Sequence, residues 1–373
     1  MTSEGSSRRA FLGKSVAIAG GVAAGAAIGS GVARAGGTPS PTPSPAPTEP
    51  EPAISPEGTY LVTLGTAAGP AVRSPRRGYS SAVVVDGHLY VVDLGLGVVR
   101  QAVEAMLPRS ELRAVFLTHL HSDHIAELPA WLLFNWGPPV DGFTQPFPII
   151  GPAGAGLLPA GAETTIRPPT PGTMELVEHV LEGYAYDINI RVYDEARPRL
   201  DELVRAEEIA LPLDAAAQSG PHGVLAPTMA PFLIYEDDRV RVLAALVEHP
   251  PVYPSYGFRF ETPHGVIAFS GDTAEHPNVV ELARGADVLV HEAVYLDFYR
   301  GSGTYTEEFI NHLAQSHTDP EGTGRVATAA GAGHLVLSHL AGVATDDEWA
   351  SAARTTFDGP VTVARDGQVF PVP

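Results

Sequence analysis

The sequence predicts an α/β protein, and three observations carry that expectation. Short runs rich in Val, Leu and Ile, bounded by Gly, Pro or Asp-Gly, recur from Tyr60 to Leu337 and read as strands. Segments of helical period fall between them, and such alternation is the mark of the α/β class. The 373 residues are 44% apolar and 18% charged, enough for one sizeable core in a single large domain.

In chain order, the first strand is Tyr60–Leu64. Ser81–Val85 and Leu89–Val92 follow as a hairpin turned by Asp86-Gly87. Val98–Leu107 reads as a helix stopped by Pro108, and Ala114–Leu117 as a short buried strand. Ile125–Phe134 is a helix with Pro129 near its start, and Phe147–Ile150 a strand. The stretch 160–230 is rich in Pro and Gly and yields only one helix, Thr173–Tyr184. Val240–Val247, Gly257–Glu261, Val266–Ser270, Val288–Val290 and Leu335–Leu337 are the remaining strands. Val279–Arg284 and Glu321–Ala330 are the remaining helices.

Ahead of the domain, Ser7-Arg8-Arg9-Ala10-Phe11-Leu12 resembles a twin-arginine export signal. An uncharged Ala/Gly/Val run and the small-x-small site Ala33-Arg34-Ala35 complete a cleavable leader over 1–35. Residues 36–56, rich in Pro, Thr and Ser, read as an extended tether, leaving 57–373 as the folded domain. The expected address is therefore the periplasm, the cell envelope or the medium, with the twin-arginine translocase as partner during export. A homodimer is admitted.

Composition removes several chemistries. There is no cysteine, which excludes disulfides, thiol nucleophiles and Cys-held zinc, so any metal must sit on His nitrogens and carboxylates. Lys14 is the only lysine and lies in the leader, so a mature chain has no Schiff-base amine. The net charge of −20 disfavours phosphate backbones at long range, and nucleic acid is not expected as a partner. Arg73, Arg76 and Arg77 are the best candidate for a local basic patch.

Chemistry concentrates at strand ends. Thr118-His119-Leu120-His121-Ser122-Asp123-His124 directly follows the strand Ala114–Leu117. Alternate residues of an extended segment share a face, so His119 and His121 can grip one ion while Asp123 and His124 turn towards a second. Three imidazoles and a carboxylate so close together are costly to bury without a metal. His249, Asp272, His291 with Glu292, and His339 each lie at the end of a later strand.

The His-x-His-x-Asp-His string resembles the signature of the metallo-β-lactamase superfamily. That resemblance implies a four-layer αβ/βα sandwich with metals at one edge. Further motifs resemble its ribonuclease Z branch and exported arylsulfatase-like relatives: Leu64-Gly65-Thr66 with Ala68-Gly69-Pro70, Asp93-Leu94-Gly95 with Gln101, His291-Glu292-Ala293, and His317-Thr318. Carried over, the resemblance implies His119, His121 and His249 at one zinc, Asp123, His124 and His339 at the other, and Asp272 between them. Manganese or iron can replace zinc at such N/O sites. Two ions about 3.5–4 Å apart would share a hydroxide for in-line displacement. Asp123 would orient that hydroxide, and His291 beside Glu292 would bind an anionic ester oxygen or protonate the leaving group. His317 is read as a helix cap or a support for a ligand.

The function expected is an exported binuclear hydrolase of small anionic esters, a sulfate ester or phosphodiester. A tRNA 3′-processing endoribonuclease and a lactone or β-lactam hydrolase are the alternatives. Export argues against the ribonuclease, as does the insert Glu175–Glu208, where ten acidic residues face four arginines. That insert, carrying Tyr184, Tyr186 and Tyr193, is expected to roof the site with an aromatic surface.

Overall fold

Alternation along each strand decides which layer a side chain enters. In the computed structural model, which describes residues 54–72 and 75–373, Leu61, Val83, Val85 and Phe116 point into a central core, while Val62, Val84 and Val115 point the opposite way. The leader, the tether up to Ala53, and Arg73 lie outside the described residues.

The first sheet contains β1 (Thr59–Gly65), β2 (Ser80–Val85), β3 (His88–Val92), β4 (Leu112–Phe116), β5 (Phe147–Gly151) and β6 (Val204–Glu208). The second contains β7 (Phe232–Glu236), β8 (Arg241–Leu246), β9 (Tyr256–Thr262), β10 (Gly265–Phe269), β11 (Val288–Val294), β12 (Leu335–Ala341) and β13 (Val361–Val363). The last strand, β14 (Gln368–Val372), returns to the first sheet and gives the order β14-β1-β2-β3-β4-β5-β6, against β13-β12-β11-β10-β9-β8-β7 in the second. Each sheet is antiparallel towards one edge and parallel towards the other, with β3 to β6 and β10 to β13 parallel.

The sheets face each other across the central core. Phe116 packs edge-on to Phe260 at 5.2 Å and to Tyr235 at 5.6 Å between ring centres. The Tyr90 hydroxyl reaches across to Asp237 at 2.7 Å. Helices α1 (Val98–Glu104), α2 (Ser122–Ile125), α3 (Leu128–Phe134), α4 (Thr173–Gly183), α5 (Ala185–Asp194), α6 (Leu200–Leu203) and α7 (Leu213–Gln218) belong to the first half of the chain. Of these, α1, α3 and α4 cover the outer face of the first sheet through Val98, Trp131 and Val177. The second half carries α8 (Pro277–Leu282), α9 (Leu296–Ser302), α10 (Glu307–Ser316), α11 (Pro320–Ala330) and α12 (Asp346–Arg354). There α8, α11 and α12 cover the second sheet through Val279, Val326 and Trp349. The result is the expected four-layer αβ/βα sandwich. Among the described residues no helix is long and apolar enough to cross a membrane.

The insert departs from expectation. Tyr186 and Tyr193 are almost fully exposed on α5, Tyr184 is 44% exposed, and none of them lines a cavity beside the site residues. Ile188 and Val192, on the other face of α5, pack against the outer core of the first sheet. The tyrosines are therefore the solvent face of an amphipathic helix and form no roof over the site.

Candidate metal centre

The centre lies at the edge where the C-terminal ends of the inner strands of both sheets meet. Chain leaving β4 is pinned at Thr118: its N–H and its hydroxyl both donate to Asp93, at 2.8 Å each, and its carbonyl accepts from the Tyr256 N–H of the second sheet at 3.0 Å. The pinned backbone presents His119 and His121, and the first turn of α2 then presents Asp123 and His124. The Gly69 N–H fixes Asp123 Oδ2 at 2.8 Å. A Cβ on residue 69 would lie 2.2 Å from the Asp123 Cβ, so the glycine-rich loop can approach only without a side chain.

Asp272 arrives just beyond β10 and His249 just beyond β8. His339 is delivered by a bulge: Glu292 pairs with Ser338 and Ala293 with Leu340, leaving His339 without an opposite residue and in a left-handed conformation (φ 47°). Asp93 has the same conformation (φ 58°), so two buried non-glycine residues hold strained backbone at this one place.

The ring atoms converge. His119 Nε2 is 3.0 Å from His121 Nδ1, and His249 Nε2 is 3.3 Å from that same atom. His124 Nε2 is 3.2 Å from His339 Nε2 and 3.4 Å from Asp272 Oδ2. Asp123 Oδ2 is 3.3 Å from His339 Nε2. Asp272 Oδ2 is also 3.9 Å from Nε2 of both His119 and His249, while its Oδ1 is 3.3 Å from His339 Nδ1. One group of ligating atoms is therefore His119, His121 and His249, another is Asp123, His124 and His339, and Asp272 touches members of both.

The donor set fits cations. His249 Nδ1 is 3.0 Å from the Ser316 carbonyl, and His124 Nδ1 is 2.8 Å from Asp93. The Thr118 hydroxyl, already donating to Asp93, can accept from His119 Nδ1 at 3.1 Å. Each outward bond places the ring proton outside and leaves the inner nitrogen as a lone pair. Lone pairs then face one another, and buried Asp272 Oδ1 and His339 Nδ1 lack hydrogen-bond partners. That arrangement is unfavourable unless positive charge lies between the groups. Burial holds the His119 ring well below its ordinary pKa and takes His249 down to about 3, which keeps both neutral as ligands. Burial works against the charge of Asp272, and its carboxyl stays below the ordinary range only through positive charge among the rings around it, His339 and His124 first, a charge that a bound cation would supply in their place.

The two residues of the His291-Glu292 pair part company. Successive strand residues face opposite ways, and His291 shares its side with Leu289, which packs in the outer core. Its Nδ1 lies 2.7 Å from the Glu292 carbonyl, its Nε2 has no partner, and its ring is wholly buried away from the centre. The expectation that His291 faces the metals is thus corrected. Glu292 points inward, where Oε1 accepts from the Thr318 N–H at 3.1 Å and meets His317 Nδ1 at 3.1 Å. His317, read from sequence as a cap or support, stacks on His339 at 6.1 Å and lines a cavity of about 390 Å³ with His121, Asp123, Asp272 and His339. Burial opposes its charge, but Glu292 outweighs that cost and raises the ring to about 9. Only the His317-Thr318 motif marked it in the sequence. A second cavity, about 370 Å³ and walled by Leu120, Ile125, Leu176, Val252 and several prolines, shares His121 with the first.

Comparison with known proteins agrees with this geometry. The Beta-lactamase superfamily domain matches residues 189–340 and the Metallo-beta-lactamase superfamily matches residues 73–140. Ribonuclease Z of Mycobacterium sp. (strain KMS) is 30% identical over 310 residues, spanning 82% of this chain and 93% of that protein. Ribonuclease Z of Mycobacterium bovis (strain BCG / Pasteur 1173P2) is 29% identical over 309 residues, spanning 82% and 95%. Among solved structures, human tRNase Z, short form, superposes with a TM-score of 0.55 at 22% identity, covering 84% of this chain and 99% of that one. Zn(2+)-bound PqqB from Methylobacterium extorquens gives 0.52 at 18% identity, covering 83% and 99%. The ribonuclease relatives overturn the expectation that nucleic acid is an unlikely partner. Net charge is an average over the whole surface, and it leaves out the cations that the centre itself is built to hold. The chain belongs to the metallo-beta-lactamase superfamily as a ribonuclease Z-like member, and it is a metal-dependent hydrolase.

Proposed function

We propose that this chain is an endoribonuclease of the ribonuclease Z type, hydrolysing a phosphodiester bond near the 3′ end of an RNA. The observation that carries the reading is the His317–Glu292 pair beside Asp272 and His339, in a chain 30% identical to a ribonuclease Z along most of both lengths. In this reading His119, His121 and His249 hold one divalent ion, zinc in the first instance, and Asp123, His124 and His339 hold a second. Asp272 serves both. Such ions lend positive charge to a phosphoryl group and bring the pKa of water towards neutrality. Asp123, anchored by the Gly69 N–H, is aimed to take up a proton from the attacking water. His317 donates from Nδ1 to Glu292, so its Nε2 holds a proton for the departing ribose oxygen. Glu292 positions that ring.

The test is hydrolysis by metal-loaded protein of a pre-tRNA with a 3′ trailer, bis-nitrophenyl phosphate and nitrophenyl sulfate. Cleavage of the trailer is expected. Turnover of the sulfate ester alone would replace this reading with a second one, an esterase of small anionic esters. One observation favours that second reading: the apolar cavity that shares His121 with the site.

Residues 1–35 are in our reading a twin-arginine leader and 36–56 a tether, so that the enzyme acts outside the cytoplasm. The Arg8-Arg9 pair, the apolar run and the Ala33-Arg34-Ala35 site support this. N-terminal sequencing of protein from its host decides it: a start near Gly36 is expected, and an intact Met1 on cytoplasmic protein would refute export.

A further inference from the structure

The cavity that holds His317, Asp272 and His339 has a second wall, and that wall is aromatic. Tyr305 and Phe309 stack on each other with ring centres 5.4 Å apart and planes inclined by 21°. Buried Tyr299 backs the pair, edge-on at 4.9 Å to Tyr305 and at 5.9 Å to Phe309. Both outer rings line the cavity, yet Tyr305 is 37% exposed and Phe309 40%. Local structure holds them there. Gly303, in a left-handed conformation, ends α9, and the Thr306 hydroxyl caps α10 by accepting from the Phe309 N–H at 3.2 Å. His317 follows the same helix, about 12 Å along its axis from Phe309.

Among the described residues no arginine or lysine lines this cavity. A ribonuclease normally draws much of its affinity from cationic contacts to phosphate, and this wall offers none. Flat, half-exposed rings offer the other general means of holding single-stranded nucleic acid, because every base has a π-face. We propose that Tyr305 and Phe309 form a stacking shelf for an unpaired nucleobase of the RNA, next to the bond being cut. This rests on the ribonuclease reading given above and deepens it. The shelf is indifferent to base identity. It grips by a contact that salt does not screen, which suits a chain with a net charge of −20.

The test is a coupling measurement on metal-loaded protein. Anisotropy would follow binding of a fluorescein-labelled single-stranded RNA protected by phosphorothioate linkages, and of versions with one abasic position moved along the strand. Wild-type protein is expected to lose roughly 5- to 150-fold in affinity at one such position, the size of one base stacked on an aromatic ring. Y305L/F309L keeps apolar volume but removes the π-faces. It is expected to bind intact RNA more weakly by a similar factor, to ignore the abasic position, and to keep the wild-type salt slope. F309L alone serves if the double variant melts early, and Y193L, on the outer face of α5, should change nothing. Equal sensitivity to the abasic position in wild type and variant would overturn the shelf. Cleavage of pre-tRNA by the same wild-type protein separates the two ideas. Cleavage without coupling overturns the shelf alone, coupling without cleavage overturns the ribonuclease reading alone, and neither result overturns both.

Discussion

His317 Nδ1 lies 3.1 Å from Glu292 Oε1, while His291, next to Glu292 in the chain, turns its ring into the outer core. His317→Ala is therefore expected to lower turnover by about 10²–10⁴-fold, the usual scale of general acid catalysis, with metal content unchanged. The loss should shrink for nitrophenyl esters, whose leaving group needs little protonation. His291→Ala should act through stability alone, lowering the melting temperature while the folded fraction keeps its turnover. Rates on both ester types, with elemental analysis and thermal melts, check the pair. A large turnover loss in folded His291→Ala protein would return the acid role to that residue.

Asp93 controls His124 from outside the centre. Asp93→Asn keeps the shape and suits the left-handed backbone, which asparagine adopts readily. Its amide NH2 would face His124 Nδ1, moving that ring's proton to Nε2, the inward atom. Metal affinity is expected to fall about 10–100-fold, the range for losing such an outer partner. Competition with a chelator measures it, and an unchanged affinity would show that the tautomer is held by something else.

Asp272 touches atoms of both ligand groups. Asp272→Ala is expected to cut the metal content from about two ions per chain to less than one. Elemental analysis of dialysed protein that keeps one ion at full occupancy would count against a carboxylate shared by both.

Far from the centre, Asp237 accepts from the Tyr90 and Tyr235 hydroxyls and from the N–H groups of Arg239 and Val240. Burial works against its charge, but those donors outweigh it and hold the carboxyl below its ordinary range. Asp237→Ala should cost about 1–3 kcal/mol, because buried hydroxyls lose their acceptor. The carboxylate's contribution is complete above the unfolded pKa, about 3.9, and is lost as pH falls through the lower folded value. The stability gap between wild type and variant, measured by urea melts, should be constant from about pH 5 to 8 and close below about pH 4. A gap that widens in acid would reverse the sign of this linkage.

How much of this was legible in the sequence depends on how each residue is held. The seven expected ligands are brought together, because each follows a buried strand whose apolar run is easy to read, as Ala114–Leu117 is before His119. Roles set by neighbours far along the chain were not legible. Asp93 showed only as a short motif, and its bonds to Thr118 and His124 depend on the parallel pairing of β3 with β4. Sequence does not separate the roles of His291 and His317, because strand parity at Glu292 and the path of α10 are tertiary facts. β7 carries no clear apolar signal because it is half-exposed throughout, and β14 none because Pro371 interrupts it. A proline is tolerated there because β14 is an edge strand.

That edge strand also ties the two sheets together. β14 follows the strands of the second sheet in the chain yet pairs with β1 of the first. His119, His121, Asp123 and His124 come from the end of β4 in the first sheet, whereas His249, Asp272 and His339 come from the second. The two halves that carry the ligands therefore cannot swing apart without tearing the β1–β14 ladder, and that strand acts as a clasp on the spacing of the centre.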